Sequence, residues 1–214
     1  MLPPRAFYMI RHGESEANAA NLTAGGGFNA PLTAKGAGQA KTLAPYLAQL
    51  DVKPSKIYAS SMIRAHNTAI LINEQMQLGI TTHDELRETD FGDWEGRPWR
   101  EVQPLLDSGL SPPNGECSRT FSTRIQSALD DILAHEDDGN IPMVVAHGGL
   151  FWAMGLMYEY GMSHIQNCHL HLFEPHTACE EFPWRVWQYD VEGEILVRSP
   201  APFCATRQEH RIAI

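Results

Sequence analysis

Three stretches of the chain share one arrangement: a short apolar run, an abrupt polar or glycine-rich stop, and then a helix-forming segment. Phe7-Tyr8-Met9-Ile10 stops at Arg11-His12-Gly13-Glu14 and is followed by a polar helical stretch over residues 15–21. Lys56-Ile57-Tyr58-Ala59 stops at Ser60-Ser61. Met143-Val144-Val145-Ala146 stops at His147-Gly148-Gly149. Apolar runs this short, bounded by turn residues, predict strands buried on both faces. Ser60 or Ser61 can cap a helix through Arg64, Ala65, Ala69 and Ile72. An apolar helix is predicted from Leu150 to about Tyr160.

Two amphipathic helices lie between the strands. Residues 35–50 place Ala40, Leu43, Ala44 and Leu47 on one face, with Thr33 as N-cap. Residues 120–135 place Phe121, Ile125, Ala128, Leu129, Ile132 and Leu133 at helical spacing. Asp137-Asp138-Gly139-Asn140 breaks the chain before the third strand. Late strands are predicted near 168–173 and 185–189, with a turn and strand over 192–197. Strands alternating with helices predict an α/β sandwich whose mostly parallel sheet is covered on both faces.

The chain has 214 residues, 43% of them hydrophobic and 20% charged. That composition excludes disorder and suits a single domain over 1–214, with no internal repeat or linker. Sixteen Lys+Arg against 26 Asp+Glu give a formal charge of -10. An acidic surface argues against nucleic acid and anionic membranes as partners. No apolar run approaches a membrane span, and Met1-Leu2-Pro3-Pro4-Arg5 lacks the features of a signal peptide. The cysteines at 117, 168, 179 and 204 have no regular spacing, which fits free thiols in a reducing cytoplasm. A homodimer is allowed for, but no residue argues for it.

In such folds ligands bind beyond the carboxyl ends of the strands. Arg11, His12, the 60–64 segment and His147-Gly148-Gly149 stand there. Singly, each is more often a structural residue. Together, two imidazoles and two guanidiniums repel one another unless an anion neutralises them. A phosphoryl group matches that need, since guanidinium forks fit its oxygens. Histidine can also carry a covalent intermediate. The remaining requirement is an acid for the leaving oxygen, and Asp84, Glu85 and Glu88 are all candidates.

Arg11-His12-Gly13-Glu14 with Asn18 resembles the signature of the histidine phosphatase superfamily, in its phosphoglycerate-mutase-like branch. The resemblance continues in family order. It takes in Pro31-Leu32-Thr33, Gly36, Gln39-Ala40, Ser60-Ser61, Arg64-Ala65 and Thr68-Ala69. It goes on through Leu86, Glu88, Phe91-Gly92, Trp94-Glu95-Gly96, Pro113-Asn114-Gly115-Glu116 and Val145-Ala146-His147-Gly148-Gly149. Ile165, Asn167 and Cys168 form a weaker further match. The resemblance implies a three-layer α/β/α sandwich, no metal and no cofactor. It implies a lid over residues 91–116, and leaves a tail over 199–214 unexplained.

By the same resemblance, His12 is the nucleophile and becomes phosphohistidine. Arg11, Arg64 and His147 bind phosphoryl oxygens, assisted by Asn18 and the Gly148 amide. Glu88 is the acid and base. Glu14 and Ser60 stand behind them. A small phosphorylated molecule is the implied substrate.

Mutase-like relatives carry Arg beside Asn21 and Lys after the aromatic-glycine element; this chain has Leu22 and Pro98-Trp99 there. Hydrolysis of small phosphomonoesters is therefore favoured, with the mutase as alternative. A phosphate-binding regulator would lack nucleophile or acid, and both are present. Phe28, Trp94 and Trp99 could line an apolar pocket, and the two tryptophans serve equally well as lid core. The glycines at 25–27 predict a flexible or closely approaching loop. His169 and His171 share a strand face as a zinc pair might, but no third ligand stands at suitable spacing.

Overall fold

The computed structural model describes residues 1–135, 139–159, 165–176 and 182–201. Asp137, Asp138, Tyr160, Cys179, Cys204 and most of the 199–214 tail lie outside these residues.

The strands predicted from the three apolar runs are β1 (Phe7–Arg11), β2 (Lys56–Ser60) and β4 (Pro142–Ala146). A short strand, β3 (Ile80–His83), precedes β4 in the chain, and β5 (Leu170–Pro175), β6 (Trp184–Glu192) and β7 (Ile195–Pro200) follow it. All belong to one mixed sheet of order β3-β2-β4-β1-β5-β6-β7. The first four are mutually parallel. The last three extend the sheet antiparallel from β1. The pair β6 and β7 is joined across residues 193–194 and needs no crossover helix.

The helices are α1 (Glu16–Ala19), α2 (Ala34–Leu47), α3 (Ile63–Ile72), α4 (Trp99–Asp107), α5 (Ser118–His135) and α6 (Gly148–Tyr158). Alternate side chains of the parallel strands feed two cores. Tyr8, Ile10, Met143 and Val145 pack with Leu43 and Leu47 of α2 and Ala69 and Ile72 of α3. Phe7, Met9, Val144 and Ala146 pack with α5 and α6 through Phe121, Leu129, Leu150 and Met154. The result is the α/β/α sandwich. Met143, Val144 and Val145 are fully buried; each such side chain contributes about 1.5–3 kcal/mol by leaving water.

Thr33 caps α2 as predicted, accepting the Gly36 N–H at 3.0 Å. The start of α3 departs from expectation. Its N-cap is Met62, with no side-chain cap bond. Ser60 accepts the Met62 N–H instead, and Asn29 Oδ1 accepts the Ile63 N–H at 2.8 Å. Within 91–116, Phe91, Trp94 and Val102 form a small core of their own with Leu105 and Leu106. Trp94 is thus packing, whereas Trp99 is 40% exposed and stands edge-on to Phe91.

Candidate active site

Strand register brings the basic residues together. Arg11 lies beside Ala146, and Ala59 beside Val145. The parallel strands β1, β2 and β4 therefore end at one level, with Arg11-His12, Ser60 and His147 as their last or next residues. The His12 N–H donates to the Ala146 carbonyl at 2.9 Å, extending the pairing by one residue. The rings of His12 and His147 meet edge-on with centroids 5.1 Å apart.

Two hydrogen bonds fix the state of His12. Its Nδ1 lies 2.6 Å from the Gly13 carbonyl, which only accepts, so Nδ1 carries the proton. Arg64 Nε donates to His12 Nε2 at 3.2 Å, so Nε2 presents its lone pair. The ring is 3% exposed. Burial first, and then the Arg64 guanidinium, hold it well below the usual imidazole range. His12 is a neutral base with one nitrogen committed and the other directed at a cation.

Arg64, in the first turn of α3, is 1% exposed. Its other N–H groups reach the carbonyls of Phe28, Ala24 and Gly25 at 3.1–3.3 Å. Arg11 donates to the Ile165 carbonyl, while its buried Nε has no partner among the described residues. Burial lowers both guanidiniums and the charge of Glu88 opposes that shift. His147 is fully buried and bonds Ser60 Oγ through Nε2 at 2.9 Å. Burial and then Arg64 depress it too.

Among the candidate acids, Glu88 is half-buried, and Asp84 and Glu85 are exposed. Its Oε1 accepts the Thr89 N–H at 2.9 Å and its Oε2 the Gly149 N–H at 3.1 Å, at the start of α6. A Cβ on residue 149 would stand 1.9 Å from Oε1, so only glycine allows this approach. Gly148 flanks the Arg11 guanidinium, 3.5 Å from Nε at the Cβ position.

Asn18 Oδ1 accepts from the Ser15 N–H and from Asn167 Nδ2. Glu14 is not brought to the cluster. Its carboxylate accepts from Thr33 Oγ1 at 3.0 Å and Lys35 Nζ at 2.7 Å, at the outer end of α2. Those two donors lower its pKa, Lys35 foremost.

Residues without an assigned role in the sequence also support the site. Asn167 Nδ2 donates to the His12 carbonyl at 2.9 Å. Thr68 Oγ1 accepts the Gly13 N–H and donates to the Arg64 carbonyl, tying the His12 loop to α3. Both stand in the blocks quoted above, which was the available signal. The loop over 25–27 is a close approach: Glu95 accepts from the Gly25, Gly27 and Phe91 amides at 2.8–3.1 Å. His169 and His171 stack edge-on at 4.6 Å, and His169 bonds Asp190. Among the described residues no three His, Cys, Asp or Glu side chains group as metal ligands do. No described helix is long and apolar enough to cross a membrane.

The fold and site define an α/β protein with a neutral histidine set among buried guanidiniums beside a carboxylate. Residues 7–180 match the model of the histidine phosphatase superfamily (branch 1), and the chain belongs to that family. It is 33% identical over 154 residues to the adenosylcobalamin/alpha-ribazole phosphatase of Salmonella typhimurium, covering 67% of this chain and 74% of that one. A mycobacterial glucosyl-3-phosphoglycerate phosphatase superposes with a TM-score of 0.71 at 24% identity, over 85% of this chain and 96% of that one. A phosphoglycerate mutase from Bacillus anthracis gives 0.67 at 24% identity, over 85% and 90%. These two likenesses show the fold. The chain is an enzyme of the histidine phosphatase kind, a phosphomonoester hydrolase.

Proposed function

We propose that the protein hydrolyses small phosphomonoesters through a phosphohistidine on His12 Nε2. The observation that carries this reading is the locked tautomer of His12, with Nδ1–H held by Gly13 and Nε2 left as an acceptor. The lone pair attacks phosphorus as the bond to the leaving oxygen breaks. Arg11, Arg64 and His147 take the equatorial oxygens, with the amide of Gly148 at the start of α6 and the side chain of Asn18 assisting. Glu88, starting as the acid, gives its proton to the departing alcohol. It then takes a proton from water as water attacks the phosphohistidine, releasing inorganic phosphate and restoring His12. Ser60 orients His147. No step calls for a metal.

Hydrolysis is favoured over mutase chemistry by one juxtaposition. Leu22 pairs with Pro98 in an isolated antiparallel bridge, and Trp99 N–H donates to the Asn21 carbonyl at 2.8 Å. The two places where mutase-like relatives carry basic residues are thus neighbours, and both are apolar here. Neither Leu22 nor Pro98-Trp99 supplies a cation for a substrate carboxylate. The segment over 91–116 acts as a lid on this reading, and the free thiols of Cys117 and Cys168 fit a reducing compartment such as the cytoplasm.

The test is hydrolysis of p-nitrophenyl phosphate and a panel of phosphometabolites, with chelator present, beside a mutase assay primed with bisphosphoglycerate. Turnover by wild type, its loss in His12→Ala, and acid-labile phosphate trapped on His12 are expected. Full activity of His12→Ala would overturn the nucleophile assignment. Phosphoglycerate interconversion faster than phosphate release would replace hydrolase by mutase.

A further inference from the structure

Arg124 of α5 has no place in the mechanism above, yet every N–H of its guanidinium is spent close to Glu88. Nε and Nη2 fork onto the two oxygens of Glu116 at 2.8 and 2.6 Å. Nη1 donates to the carbonyls of Glu85 and Arg87 at 2.7 and 2.9 Å. The remaining Nη2 proton reaches the Glu88 carbonyl at 3.3 Å. Glu116 completes the frame: its Oε2 accepts the Asp90 N–H at 2.9 Å and its own N–H returns to the Asp90 carbonyl at 2.8 Å. Both side chains are mostly buried, at 17% and 18% exposure.

The backbone on either side of Glu88 is thereby pinned by one ion pair, whose hydrogen bonds run to Glu85, Arg87, Glu88 and Asp90 and none to Arg11, His12, Arg64 or His147, although the Arg124 charge is felt at His147. Bidentate guanidinium–carboxylate pairs are strong and directional. Backbone carbonyls held by charge-assisted bonds fix the direction in which a side chain leaves the chain. From this frame the Glu88 carboxylate reaches the Gly149 amide. A carboxyl group displaced by about 1 Å loses orders of magnitude as a proton donor.

We propose that Arg124 and Glu116 form a positioning pair that aims the Glu88 carboxyl at the leaving oxygen. The inference rests on the phosphohistidine reading and adds residues to its acid step. Lysine at 124 keeps the charge but offers a point donor in place of a five-donor fork, so Arg124→Lys loosens Glu88 without emptying the site.

The experiment compares wild type, Glu88→Gln, Arg124→Lys and Glu116→Gln on an alkyl phosphate and on p-nitrophenyl phosphate. Vanadate inhibition and thermal melting are read alongside. Only the alkyl leaving group needs the acid. In phosphoenzyme formation, read in a single turnover, Arg124→Lys and Glu116→Gln are expected to lose about tenfold or more on the alkyl ester and little on p-nitrophenyl phosphate, following Glu88→Gln in kind; dephosphorylation, where Glu88 is the base, is common to both esters. Vanadate affinity stays within about twofold of wild type, and combining either change with Glu88→Gln adds nothing further. Equal losses of the formation rate on both esters, or none, in variants that melt as wild type does would overturn the positioning role while leaving His12 and Glu88 untouched. If Glu88→Gln itself fails to discriminate between the esters, the acid assignment falls and this inference with it.

Discussion

At the scale of single residues, the site is a set of bases kept neutral by burial beside cations that cannot lose their charge. His12, His147 and His171 all sit with depressed pKa values, His171 at about 3, each chiefly because burial disfavours the imidazolium. The unfolded chain restores the ordinary value of about 6.5. Below that pH the unfolded state binds more protons than the native one. The stabilisation of neutral burial is therefore complete above pH 6.5 and is lost as pH falls. Each unit of pH below it costs up to about 1.4 kcal/mol per histidine. The melting temperature is expected to drop from about pH 7 to pH 5. His171→Phe should reduce that drop, because it keeps a ring against Phe151 and removes one titrating group. An unchanged slope in a calorimetric pH series would show that His171 does not contribute. The same depression keeps the lone pair of His12 available in mildly acidic solution.

At the scale of elements, the glycine-rich loop is the joint between the Arg64 guanidinium and the 91–116 segment. A Cβ on Gly25 would stand 1.9 Å from the Thr89 carbonyl, a backbone atom with little freedom to yield. Gly25→Ala is expected to cost about 1–3 kcal/mol by overpacking, seen as a lower midpoint in urea, and to weaken vanadate binding through the Arg64 contacts at Ala24 and Gly25. A variant with wild-type midpoint and affinity would show that the loop moves freely. The elements themselves were unevenly legible. β1, β2 and β4 announce themselves as apolar runs. β3 does not, because Ile80-Thr81-Thr82-His83 is an edge strand paired only with β2, half-exposed and without alternation. α4 is masked by Pro98 before it and Pro104 inside it, residues that read as breakers.

At the scale of the whole molecule, the order of the strands places the chemistry. Sequence spacing brought Arg11, His12, Arg64 and His147 into view because they follow buried strands, and the register of β1, β2 and β4 then makes them neighbours. Glu88 was one of three candidates until a resemblance singled it out, and its depth beside α6 gives the physical reason. Arg124 stayed hidden because helical periodicity tells which face is polar but not what that face grips. The resemblance placed Glu14 behind the phosphate-binding residues, and its carboxylate is held by Thr33 and Lys35 instead. An acidic molecule of formal charge -10 thus keeps its concentrated positive charge at the end of three parallel strands.

His12, the proposed nucleophile, directly follows β1, which has β4 on one flank and β5 on the other, whereas Glu88, the proposed acid, hangs on a connection outside the sheet, held by Arg124 and by bonds to the glycine-rich loop and Gly149. Hydrogen exchange should accordingly find two protection levels, the slow one for amides of β1 and β4 and a faster one for residues 85–95. On the phosphohistidine reading, a molecule caught in that partial opening would retain its capacity to be phosphorylated by activated esters while having forgotten how to release an alcohol.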